Sequence, residues 1–266
     1  MERFIFKSKW LAAMLLAAGL MLASWEAQSQ TLLSTADHSA PKEKKEAVSS
    51  LAELRKKYPE TLIIQGPSQT KSVALTFDDV PDIRYTEKVL DVLKKYQVQA
   101  TFFVVGYRAE MYPEIVRRMV KEGHVIGNHT YNHPYLPPMS LAQMAGQITK
   151  TQEILNRIVG YKPKLIRPPY GAINEQQLLW AKRNGFLVVN WNVDSLDWKS
   201  LKAQEVKANV LPFVRPGSIV LQHAGGGFGE DLSGTIQALP SIIEHVRAKG
   251  YQFVTVPEMI GVPVNN

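Results

Sequence analysis

Two carboxylates stand side by side at Asp78 and Asp79, and two imidazoles stand four residues apart at His129 and His133. Two His and one carboxylate can hold a metal ion with positions left open for water, and a second carboxylate beside them can take a proton. On one helical turn His129 and His133 would face the same way and could share that ion. Each feature also has a plainer reading. A chain with six histidines shows such a pair by chance often enough to matter. An acidic pair after a strand can be a turn or a helix cap. No Glu follows His129, so the H-E-x-x-H arrangement of a metalloprotease lacks its base. Arg167, between Ile166 and Pro168, reads as an inward charge, either a structural ion pair or a partner that holds a carboxylate ionised. His223 follows Ile219-Val220-Leu221 and precedes a flexible glycine run. It is either a satisfied core histidine or, near a metal and a buried Asp, a protonated general acid. His38, His124 and His245 read as structural or solvated.

These residues need elements to bring them together. From Lys71 onward, strand-like and helix-like runs alternate. Strands are expected over 72–77, 101–105, 125–127, 164–167, 186–193, 218–222 and 252–256. Helices are expected over 86–96, 112–122, 140–159, 174–183, 202–210 and 234–248. Such alternation predicts a parallel sheet with crossover helices. Seven strands in roughly 190 residues fall short of the ~250 of a complete eight-unit barrel, so a shortened, distorted barrel or an open doubly wound sheet fits. Sites in these folds lie at the C-terminal ends of strands. The Asp78-Asp79 pair, the two histidines, Arg167 with Pro168-Pro169-Tyr170, Asp194 with Asp197-Trp198, and His223 all fall there. Strict alternation would aim Asp78 and Asp79 to opposite faces. The first strand is therefore expected to end at the pair, and Pro81 agrees. No glycine-rich phosphate loop follows any strand, so dinucleotide and P-loop readings lack their cradle.

The composition narrows the chemistry further. The chain has 266 residues, 45% hydrophobic and 21% charged, which excludes wholesale disorder. It has no cysteine, which excludes disulfides, iron–sulfur clusters, thiolate metal sites and a cysteine nucleophile. Any metal must be held by His, Asp or Glu. Arg3, Lys7 and Lys9 precede an uncharged run from Trp10 to Trp25, which reads as a secretory signal with cleavage after Ser29. An uncleaved membrane anchor is the alternative. The net charge of +7 becomes +6 without residues 1–29, with 28 basic against 22 acidic side chains. Export turns that charge away from nucleic acid and toward an anionic cell wall. Residues 30–70 are expected to form a stalk and a small helix–strand element, with the helix over 46–58 and the strand over 61–64. Residues 71–262 would form the main domain.

Within that domain, Thr76-Phe77-Asp78-Asp79-Val80-Pro81, His129-Thr130-Tyr131-Asn132-His133, Arg167-Pro168-Pro169-Tyr170, Asp194-Ser195-Leu196-Asp197-Trp198 and Leu221-Gln222-His223 occur in order. In this they resemble the five motifs of the polysaccharide deacetylase family (the NodB-homology domain, carbohydrate esterase family four). The resemblance implies an α/β fold, a distorted seven-stranded (β/α) barrel, that hydrolyses an N-acetyl amide on a sugar. It implies that Asp78 is the general base and that Asp79, His129 and His133 hold one divalent metal, usually zinc, with cobalt, nickel or manganese also suited to N/O ligation. Arg167 would orient Asp78, His223 would protonate the leaving amine, Asp197 would tune His223, and Asp194 would assist. The Tyr170 N–H would steady the oxyanion, and Pro169, Trp198 and Leu221 would line the substrate pocket. The substrate would be N-acetylglucosamine in peptidoglycan or chitin-like chains, with N-acetylmuramic acid as the alternative, acted on by a secreted or cell-surface monomer. The family glycine after the Asp pair is Val80 here. A β-branched residue disfavours φ > 0, so an ordinary backbone is expected at that position, with activity retained. Two other classes compete: a noncatalytic wall-binding protein that keeps the fold, and a two-His-one-carboxylate iron oxygenase, which has less use for a second Asp.

Overall fold

The computed structural model describes residues 50–265. The signal expected at 1–29, the stalk from residue 30 and the first residues of the N-terminal helix lie outside them. Nine strand segments form one sheet: β1 (Leu62–Ile63), β2 (Ser72–Val80), β3 (Thr101–Val104), β4 (Val125–Asn128), β5 (Leu165–Ile166), β6 (Leu187–Val189), β7 (Val193–Asp194), β8 (Ser218–His223) and β9 (Gln252–Phe253). Their order is β1-β6-β5-β4-β3-β2-β8-β7, with β9 also on β2, and every strand pairing is parallel. The helices are α1 (Leu51–Lys57), α2 (Thr86–Tyr96), α3 (Gly106–Met111), α4 (Pro113–Lys121), α5 (Leu141–Val159), α6 (Glu175–Arg183), α7 (Ala203–Val210), α8 (Ser233–Ala248) and α9 (Val256–Ile260); α2 to α8 lie between strands, α1 precedes β1 and α9 follows β9. Among the described residues no helix is long and apolar enough to cross a membrane.

The central strand explains the layers. Along β2, side chains alternate between faces. Val73, Leu75 and Phe77 pack outward with Val89 and Leu90 of α2 and Ile242 of α8. Ala74 packs inward with Phe103, Leu165, Val189 and Ile219 from neighbouring strands. The inward line continues through Thr76 to Asp78, so the strand carries a polar group toward the barrel interior at its C-terminal end. Capping side chains mark the starts of some of the helices. Ser140 accepts from the Gln143 N–H ahead of α5, which ends on left-handed Gly160.

The nine segments exceed the expected seven for two reasons. β1 pairs with β6, so residues placed in a separate N-terminal element extend the main sheet. The single strand expected over 186–193 is two: β6 pairs with β5 and β7 pairs with β8. One stretch of chain thus bridges strands at both ends of the pairing order, and the sheet curls into a distorted barrel. α3 and α9 also lay outside the expectation, each being only one or two turns long.

Leu62 is fully buried beneath Leu54, Leu178 and Val188. Leu62→Ala is expected to cost about 3 kcal/mol of stability, read as a lowered urea midpoint. An unchanged midpoint would show that β1 is not integral to the domain.

Candidate active site

The Asp pair is aimed by a local irregularity. β2 does not stop at Asp78-Asp79 as alternation suggested. It runs on to Val80, with its register against β3 shifted between Phe77 and Val80. Asp79 takes a left-handed φ of 63°, a conformation that Asp tolerates better than most residues. Both carboxylates therefore line the same cleft. Val80 keeps an ordinary backbone, because the left-handed residue falls one position earlier.

The two histidines do not share a helical turn. Residues 129–133 form a loop after β4, with Thr130 at φ 67° and His133 at φ 58°. Polar side chains hold its shape. The Asn128 carboxamide accepts from the Thr130 N–H, the Thr130 hydroxyl accepts from the His133 N–H, and Gln147 of α5 accepts from the N–H groups of Tyr131 and Asn132. His129 Nδ1 lies 2.7 Å from the Arg167 carbonyl oxygen. A carbonyl only accepts, so Nδ1 carries the hydrogen and Nε2 presents its lone pair. Burial pushes the His129 pKa down to about 3, which keeps the ring neutral, the state that ligation needs.

Asp79 Oδ1 lies 3.6 Å from His129 Nε2 and 3.3 Å from His133 Nε2. It is buried and has no hydrogen-bond partner. An orphaned buried carboxylate oxygen is costly. Placed between two imidazole Nε2 atoms, it has the surroundings that a bound cation would satisfy. Asp79, His129 and His133 thus form a group that could hold a metal ion, and their oxygen and nitrogen donors suit a divalent one.

Arg167 is fully buried. Its Nη1 donates to Asp78 Oδ1 at 2.7 Å and to the Thr76 hydroxyl at 2.8 Å. Its Nε and Nη2 donate to the carbonyls of Val189 and Asn190. Across the cleft, parallel β2–β8 pairing places His223 in register with Asp78. Asp197, on a 3-10 turn after β7, meets His223 Nδ1 at 2.7 Å through Oδ1. Its Oδ2 accepts from the His223 N–H and from the Thr235 hydroxyl. Burial opposes charge on His223, but the Asp197 carboxylate overrides it and raises the pKa to about 9. Asp194 Oδ1 accepts from the Leu196 N–H. The cleft, about 520 Å³, gathers Asp78, Asp79, His129, His133, Tyr170, Asp194, Trp198, Leu221 and His223. Pro169 is buried in the 3-10 turn that carries Tyr170.

A sequence profile described as polysaccharide deacetylase matches residues 65–189. A peptidoglycan-N-acetylglucosamine deacetylase of Bacillus cereus is 51% identical over 194 residues, covering 73% of this chain and 70% of that one. The chain belongs to the polysaccharide deacetylase family. A chitooligosaccharide deacetylase of a Bradyrhizobium species is 36% identical over 201 residues, covering 72% of this chain and 92% of its own. A solved peptidoglycan N-acetylglucosamine deacetylase superposes with a TM-score of 0.77 at 47% identity, covering 79% of this chain and 98% of its own.

Four residues of this deacetylase fold escaped the sequence reading of the site. Thr76 faces inward two residues before Asp78, so strand alternation carried a signal for it. Gln147 and Thr235 act from helices, with no local signal. Arg108, which also lines the cleft, clamps the site. It donates to the Asp79 carbonyl and to the Gly226 carbonyl. The glycine run after His223, read as flexible, is packed there. A Cβ on Gly225 would sit 1.9 Å from the Asp79 carbonyl oxygen, so only glycine allows the approach.

The Asp197–His223 pair makes stability depend on pH. The folded His223 pKa is raised, so its contribution is complete below the ordinary value of about 6.5 and is lost as pH rises through about 9. The Asp197 pKa is lowered. Burial opposes the charged form, and the charge and hydrogen bonds of His223 outweigh it, so its share is lost only as pH falls through its folded value. Asp197→Asn is expected to flatten the alkaline arm of a melting-temperature profile. An alkaline arm identical to the wild type would assign it to other groups.

Proposed function

We propose that this chain is a metal-dependent deacetylase that removes acetyl groups from N-acetylglucosamine residues of peptidoglycan or a chitin-like polysaccharide, releasing acetate. The observation that carries the reading is the orphaned Asp79 oxygen between two imidazole Nε2 atoms, with an Arg-paired carboxylate and an Asp-paired histidine in the same cleft. A divalent ion held by Asp79, His129 and His133 would lower the pKa of a bound water and polarise the acetyl carbonyl. Zinc suits these donors best, and cobalt, nickel or manganese also fit.

The protein's own groups do the rest. Asp78, fixed by Arg167, takes a proton from water as the oxygen adds to the acetyl carbon. The Tyr170 N–H donates to the oxygen that gains charge. His223, kept charged by Asp197, gives its proton to the sugar nitrogen as the C–N bond breaks, leaving acetate and a free amine. Asp194 adds negative charge near Arg167. Pro169, Trp198 and Leu221 shape the wall that receives the acetyl group. The N-terminal basic-then-apolar pattern supports export, as a secreted or surface-attached protein that touches a membrane only through that segment. We take the working unit to be a monomer with no nucleic-acid partner.

Acetate release from chitin oligomers, N-acetylglucosamine-containing glycan and muramic-acid-containing glycan, with and without chelator, tests the reading. Release from none of them would favour a noncatalytic wall-binding protein. Release from muramic-acid glycan alone would move the substrate to that sugar. Asp78→Asn is expected to lower turnover by roughly 10²–10⁴-fold while calorimetry still detects metal uptake. His133→Ala is expected to lose the metal, and a fully active, metal-free His133→Ala protein would refute the ligand assignment.

A further inference from the structure

Tyr135 is 55% exposed, yet the backbone beneath it is fixed. The next residue, Leu136, is buried against Met144, Ile148 and Ile173. The Leu136 carbonyl accepts from Gln177 Nε2 at 2.6 Å, and the Pro137 carbonyl accepts from Asn174 Nδ2 at 3.0 Å. Gln177 is itself fully buried on α6. A tied-down backbone therefore holds a large aromatic residue more than half in solvent, and that exposed part gains nothing from folding.

Its position gives that exposure a use. The Tyr135 ring centroid is 6.1 Å from that of Tyr170, which is 4.8 Å from that of His133. Tyr170 is 65% exposed and sits at φ 59°, a backbone state that bulky residues seldom adopt and that persists where the surroundings enforce it. The three rings form a ledge that begins at the proposed metal-holding histidine and runs outward past the cleft lining. A cleft wall of this kind suits a chain of pyranose rings. Each sugar has an apolar C–H face for the ring and hydroxyls within reach of a phenol oxygen, and tyrosine offers both surfaces at low conformational cost.

We propose that Tyr135 is a specificity-determining residue: its ring stacks on the sugar next to the one being deacetylated and makes the protein prefer glycan oligomers. The proposal rests on the deacetylase reading for the identity of the central sugar. The occupant is the same glycan chain, because the ledge is continuous with the cleft that holds the reacting unit.

The test compares wild type, Tyr135→Ala and Tyr135→Phe on the N-acetylglucosamine tetramer. Acetate release gives kcat and KM, and calorimetry on the metal-loaded protein gives tetramer affinity independently of turnover. Tyr135→Ala is expected to raise KM and Kd for the tetramer roughly tenfold with kcat unchanged, the pattern of lost uniform binding. Tyr135→Phe keeps the ring and loses only the phenol oxygen, so it is expected to be much less impaired than the Ala variant. Unchanged tetramer KM and Kd in Tyr135→Ala would overturn the proposal. So would a loss confined to kcat, or a Phe variant as impaired as the Ala variant. Wild-type protein that binds the tetramer in a Tyr135-dependent way without releasing acetate would refute the deacetylase reading and leave the ledge standing.

Discussion

The Arg167 guanidinium is fully buried, and the centre of the barrel is arranged to satisfy it. Burying a charge costs several kcal/mol unless it is paired and hydrogen-bonded. Here the charge meets Asp78, and the remaining donors meet the Thr76 hydroxyl and two carbonyls, with the Phe103 ring 4.0 Å away. Those carbonyls belong to Val189 and Asn190, where β6 gives way to β7. The break in that strand therefore leaves acceptors for the guanidinium close to where the ladder stops. The Arg167 carbonyl meanwhile fixes the His129 tautomer. One residue thus orients a carboxylate through its side chain and, through its main chain, an imidazole of the group that could hold a metal.

Acid and base chemistry in one cleft requires that the two groups not neutralise each other. Parallel pairing puts Asp78 and His223 in register on adjacent strands. Each is committed elsewhere, Asp78 to a guanidinium and His223 to the Asp197 carboxylate. Asp197 is itself saturated, with the His223 ring, the His223 N–H and the Thr235 hydroxyl all on one carboxylate. Opposite partners on opposite sides keep a carboxylate and a charged imidazole a strand apart, which is the separation of roles that acid–base hydrolysis uses.

The sheet and the place of the site were legible because both follow from periodicity. Alternating runs require a parallel sheet, and a parallel sheet collects its loops at one end. The local aim of the side chains was not legible. Alternation alone would have parted Asp78 from Asp79, and helical spacing alone would have paired His129 with His133. In both places the backbone turns left-handed instead, and period-2 or period-3.6 patterns carry no record of that choice. Gln147 and Thr235 escaped for a different reason: their partners lie 15 or more residues away in sequence, so only tertiary packing reveals them. Gly225 looked like flexibility because a glycine needed for close approach and one needed for freedom have the same side chain.

Among the described residues, seven that are not glycine have positive φ, and Asp79, Thr130, His133, Tyr170 and Leu196 belong to the site or the turns that carry it. Such conformations cost about 1–3 kcal/mol each and last only where the surroundings over-determine them. The over-determination is visible. Arg108 holds the Asp79 carbonyl, Asn128 holds the Thr130 N–H, Thr130 holds the His133 N–H, and Asp194 holds the Leu196 N–H. Four of these five strained residues are thus pinned by a partner that is itself part of the site or adjacent to it. A site pinned in this way cannot relax one ligand without disturbing the next. The atoms of the group that could hold a metal are therefore fixed in place, and binding an ion there need not bear the cost of assembling them.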